Sequence, residues 1–101
     1  MKKCMISQPM RNLTDDEICD IRFKAMNEIH NLGYEFVSSY FSDEYNPGKN
    51  ITNIPVYYLG ISLMKMAECD AVYFCKGWED ARGCVIEHEV AQKYDIECIY
   101  E

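Results

Sequence analysis

The chain has 101 residues, 49% of them hydrophobic, and a net charge of −7. That length holds one domain, 1–101, with enough apolar residues for a core, and no run approaches the roughly 20 apolar residues of a membrane span. The 10 basic residues are scattered without a stripe, which excludes the many phosphate contacts of a nucleic-acid polymer but not a single nucleotide.

In chain order, Cys4-Met5-Ile6 reads as a short buried strand that runs into a loop at Ser7-Gln8-Pro9. Thr14-Asp15-Asp16-Glu17 is a capping box at the start of a helix. Leu13 and Ile18 stand where a hydrophobic staple needs them. Ile18, Ile21, Ala25, Ile29 and Leu32 recur at helical spacing as its inner face, and Gly33 is the expected stop. Residues 34–37 form a second strand. A long polar loop over 38–53, with Asn46-Pro47-Gly48 inside it, has the length of a functional loop.

Pro55 opens the next helix, with Val56, Leu59, Leu63, Met66 and Ala67 as its inner face. Residues 71–75 are a near-continuous apolar strand, as expected of one buried on both faces. A loop over 77–82 leads to a helix over 83–94, with Asp80 or a neighbour as N-cap. A last strand covers 96–100. Strand and helix alternate throughout. This predicts a three-layer α/β sandwich of the flavodoxin or Rossmann kind: a parallel four-stranded sheet in the order 2-1-3-4, with helices on both faces. Ligands of such sheets bind at the carboxyl ends of the strands, near the switch point between the first and third strands.

The six cysteines are Cys4, Cys19, Cys69, Cys75, Cys84 and Cys98. They fall on strand-like and helix-like segments without a CxxC or CxxH pair. They are expected to be reduced core residues rather than disulfides or zinc ligands. Met1-Lys2-Lys3 precedes too short an apolar stretch for a signal peptide, so a cytoplasmic location is expected.

Glu87 is the most informative position. Its helical neighbours Gly83, Cys84, Val90 and Ala91 are small or apolar, so its carboxylate projects from the face that packs on the sheet. Glu89, with Lys93 four residues on, suits a solvated face. A buried carboxylate is costly unless paired or used, and it tends towards a raised pKa. It serves either as a catalytic group or as a structural acceptor.

Gly83 either lets a phosphate or sugar approach a helix start or makes room for packing. Trp78 either stacks on a base or covers a pocket, or it plugs the end of the core. Arg11 and Arg82 either hold a phosphate or are solvated. His30 falls near the end of the first helix. His88 diverges from Glu87, so no direct dyad is expected. No GxSxG turn surrounds Ser7.

Two motifs stand together: Met5-Ile6-Ser7-Gln8-Pro9-Met10, and Ala67 to Phe74 followed by Gly77-Trp78-Glu79 and Gly83 to Ala91. They resemble an uncharacterised bacterial and phage family related to the nucleoside 2-deoxyribosyltransferases, whose superfamily includes deoxynucleoside-monophosphate N-glycosidases. The resemblance implies that Glu87 is a nucleophile attacking an anomeric carbon, with a second acid assisting the leaving base. It also implies that Ser7, Gln8, Pro9 and Met10 line the sugar or phosphate pocket. The transferases often carry Asp where Ala81 stands, with Asp80 adjacent. They carry another Asp at the position of Ser62, and Gly at that of Gln8.

The expected protein is therefore an N-glycosidase or deoxyribosyltransferase-like homo-oligomer. Its site is Glu87 and Asp80 for catalysis, with Ser7, Gln8, Pro9, Met10, Arg11, Trp78, Arg82 and Gly83 for a nucleoside or nucleotide. Tyr40 or Tyr45 is an alternative contact for the base. The chemistry calls for no metal and no cofactor. The other reading is a module that binds a nucleotide or nucleotide signal without turning it over.

Overall fold

The computed structural model describes residues 1–38 and 48–101. Strands β1 (Lys3–Ser7), β2 (Glu35–Phe36), β3 (Ala71–Phe74) and β4 (Glu97–Tyr100) alternate with helices α1 (Asp15–Asn31), α2 (Ile54–Met66) and α3 (Arg82–Lys93). The four strands form one parallel sheet in the order β2-β1-β3-β4, as expected. Tyr40, Tyr45 and most of the long polar loop lie outside the described residues.

The period of two along a strand sorts the core into two layers. Cys4, Ile6, Ala71, Tyr73 and Cys75 pack with Ala25 and Ile29 of α1. Met5, Val72 and Phe74 pack on the opposite face with Met66 of α2 and Ala91 of α3. The sheet's central strands are apolar on both sides because helices cover both.

Helix α1 is closed at both ends. The Glu17 amide donates to Thr14 Oγ1 at 3.1 Å, and the Thr14 amide donates to Glu17 Oε1 at 3.0 Å. At the other end Gly33 has φ 89°. The Gly33 amide donates to the His30 carbonyl at 3.0 Å and the Tyr34 amide to the Ile29 carbonyl at 3.1 Å. These two bonds make a Schellman motif, which needs a residue that tolerates positive φ. His30 lies in the last turn, as expected.

Several expectations need correction. The buried stripe of α1 is Ile18, Arg22, Ala25 and Ile29, and Leu32 is exposed because it is the C-cap, where the chain turns away. On α2 the buried residues are Ile61, Ser62 and Met66. Leu59 and Leu63 are half-buried, while Val56 and Ala67 face out. This helix has one charged residue, Lys65, so its apolar pattern could not select a face.

Helix α3 begins at Arg82, and its N-cap is Ala81 rather than Asp80. Asp80 ends a 3-10 turn, Trp78–Asp80, in which its amide donates to the Gly77 carbonyl at 3.1 Å. All six cysteines are free. Cys19 is exposed rather than in the core, because it follows Ile18 on the outward side of α1.

Candidate functional site

Ser7 ends β1 and shares the parity of Met5, so its side chain faces the layer of α2 and α3. Its carbonyl accepts from the Cys75 amide at 3.0 Å, which ties the carboxyl ends of β1 and β3 together. Its hydroxyl donates to Glu87 Oε2 at 3.4 Å. Cys84, Glu87 and Ala91 form the buried face of α3, as their spacing predicts. Glu89 is exposed, also as predicted. The structure thus brings Ser7 and Glu87 together from positions 80 residues apart.

Burial pushes the Glu87 carboxyl up to about 7, and the bond from Ser7 opposes that shift. Only 8% of Glu87 is exposed. Among the described residues no side-chain nitrogen or oxygen is both fully buried and unpartnered. Burial also pushes the neighbouring thiols up, Cys84 to about 11 and Cys75 to about 12. Neither is a thiolate near neutral pH.

The loops after β1 and β3 abut. A Cβ on Gly77, whose φ is 90°, would stand 3.9 Å from Pro9 Cγ. Met10 and Arg11 are exposed beyond Pro9, and Arg82 is exposed as the first residue of α3. A Cβ on Gly83 would meet nothing within 4 Å. Tight packing therefore does not explain that glycine, and open space lies beside it.

Gln8, the first residue past β1, points the other way. It is buried on the α1 side, donating through Nε2 to the Ile18 carbonyl at 2.8 Å and accepting from Arg22 at 3.3 Å. Asp80 is exposed, and among the described residues the one side-chain hydrogen bond of Glu87 comes from Ser7. Trp78 is half-buried and packs against the Met5, Val72 and Phe74 layer. Its ring lies 4.1 Å from that of His88 and 5.4 Å from that of Phe74. Its packed side closes the end of the core.

Two features escaped the sequence reading. Arg22 is buried on the inner face of α1, with its guanidinium 5.8 Å from the Phe36 ring centroid. Its spacing between Ile18 and Ala25 was the available signal. His88 Nε2 and the Tyr100 hydroxyl share a hydrogen bond at 2.7 Å, a pairing that no local pattern announces.

A shallow depression of about 580 Å³ opens beside Trp78, Val85, His88 and Gln92. It lies on the outer side of α3, away from Glu87. The carboxylates that line it, Glu79 and Glu89, are exposed, unlike Glu87.

Comparison with the curated proteins and with the solved structures gave no match. Residues 2–100, nearly the whole chain, match the domain of unknown function DUF4406, and the chain belongs to that family.

Proposed function

We propose that the protein acts on the N-glycosidic bond of a nucleoside or nucleotide, as a hydrolase or deoxyribosyltransferase-like enzyme with Glu87 as nucleophile. The observation that carries this reading is a carboxyl set in an apolar helix face at the carboxyl end of β1. It is held by Ser7 and almost fully buried. In the reaction Glu87 forms a bond to the anomeric carbon as the bond to the base breaks, and the base leaves with a proton from an acid. Water or a second base then attacks the glycosyl-enzyme and frees Glu87. Asp80, exposed in the turn before α3, is the proposed acid.

Ser7, Pro9, Met10, Arg11, Arg82 and Gly83 would meet sugar or phosphate, with Gln8 shaping the loop from behind and Trp78 at its edge. The protein would work in the cytoplasm, where its six free thiols stay reduced, and as a homo-oligomer.

The test is release of free base from a panel of deoxynucleosides and nucleotides. Wild type should release base and Glu87→Ala should not. An ionised nucleophile with a pKa of about 7 requires kcat/KM to climb through neutral pH and level off above it. Equal null results for both proteins across the panel would end the enzymatic reading.

A second reading, a nucleotide-binding module, is favoured by one observation: the side chain of Asp80, the acid of the first reading, is exposed and no hydrogen bond among the described residues fixes it. Thermal stabilisation by a nucleotide that is recovered intact would select it.

A further inference from the structure

Helix α1 lays Arg22 into its buried stripe between Ile18 and Ala25. An arginine is seldom buried in a helix face unless a polar group there uses it. Its guanidinium lies 5.8 Å from the Phe36 ring centroid and donates to Gln8 Oε1 at 3.3 Å. One side chain of α1 thus reaches β2 and the residue just past β1.

Gln8 is gripped at both ends of its amide. Nε2 donates to the Ile18 carbonyl at 2.8 Å, and Oε1 accepts from Arg22. Both bonds run to α1. Ser7 is joined to Gln8 by one peptide unit, which is planar and passes a displacement of one residue to the next. On the other face of the sheet the Ser7 hydroxyl donates to Glu87 Oε2 at 3.4 Å. That exceeds the roughly 2.5–3.0 Å usual for O–H···O bonds, so a small shift of Ser7 decides whether the bond exists.

We propose that Arg22 is a positioning residue for Glu87: through Gln8 it fixes the end of β1, and with it the Ser7 hydroxyl against Glu87 Oε2. Burial raises the Glu87 carboxyl, and the Ser7 bond opposes that rise. Losing Arg22 frees Ser7 and lets the carboxyl titrate higher. On the elements packed around Glu87, the Cys84 thiol stays neutral near pH 7, Lys65 of α2 pairs with Glu68, and Glu79, Asp80 and Arg82 are exposed. The Ser7 bond is therefore the contact through which a movement of β1 reaches the carboxyl. The value of this device to a reaction rests on the nucleophile reading above. Its test uses no substrate, so either can fail without the other.

The test is a pH titration of the side-chain carboxyl carbons by nuclear magnetic resonance. The Glu87 signal is the one missing from Glu87→Gln. Ser7→Ala should raise its midpoint by roughly 0.4–1 unit. Arg22→Met and Gln8→Met should each raise it comparably, and neither should add to Ser7→Ala in a double variant. Gln8→Met keeps every charge and carries the test alone if Arg22→Met does not fold. Ile29→Val, two turns along the same buried stripe, weakens the core without touching Gln8 and should leave the midpoint in place. An unmoved midpoint in any folded one of the three single variants would overturn the proposal. So would a full shift retained on the Ser7→Ala background, or an equal shift from Ile29→Val.

Discussion

Helices α1 and α3 cover opposite faces of one sheet and are finished to different degrees. Helix α1 has a capping box at one end and a Schellman motif at the other. The polar groups it buries are engaged: Arg22 holds Gln8, Gln8 holds the Ile18 carbonyl, and the Tyr73 hydroxyl donates to Glu28. Helix α3 has Ala81 as its N-cap, without a side-chain cap, and carries Gly83 beside open space. It buries a carboxyl on one long hydrogen bond. Local rules are satisfied throughout α1 and left unsatisfied at the start of α3. Folded proteins keep such exceptions mainly where function needs them.

The largest expected effect breaks this contrast at Glu87. Its carboxyl ionises near 4.5 in the unfolded chain and near 7 in the folded one. Between those values the folded state holds the extra proton, so stability falls as pH rises through the window and is level on either side. The total fall is about 2–4 kcal/mol. Glu87→Gln should remove it, so the variant melts higher than wild type above pH 7 and alongside it below pH 4.5. Thermal melts across this range check the point, and a wild type with level stability throughout would contradict it.

The next effect belongs to the finished side. Arg22→Met leaves the buried Gln8 oxygen without its Arg22 donor, at a cost of about 1–3 kcal/mol, read as a lower urea midpoint. Thr14→Ala opens the capping box and should lower stability by about 1 kcal/mol. Ala81→Ser, the mirror of that change, offers α3 the cap it lacks and should raise stability by about 0.5–1 kcal/mol. Equal and opposite shifts from these last two would sharpen the contrast between the helix starts. A null result at Ala81 would mean that the α3 amides already have solvent partners as good as a hydroxyl.

Much of the fold was legible because its signals are local. Thr14, Glu17 and Gly33 mark helix ends through bonds spanning a few residues. The inward direction of Glu87 follows from its neighbours at three and four residues' distance. The face of α2 was not legible, because a helix apolar on every side has no preferred one. Arg22 was overlooked because a basic residue is normally placed on the solvated side, and here Gln8, a residue from another element, makes its burial tolerable.

By itself the sequence determined the alternation of strands and helices, the order of the parallel sheet and the inward direction of Glu87. Each follows from spacing, capping or crossover handedness, which are short-range or topological constraints. Tertiary structure alone decided that Ser7 meets Glu87 while Gln8 turns to Arg22, and that Trp78 closes the core against Phe74 and His88. Those pairings depend on strand parity and on the distance between elements far apart in sequence. Packing sets both, and no local pattern encodes them.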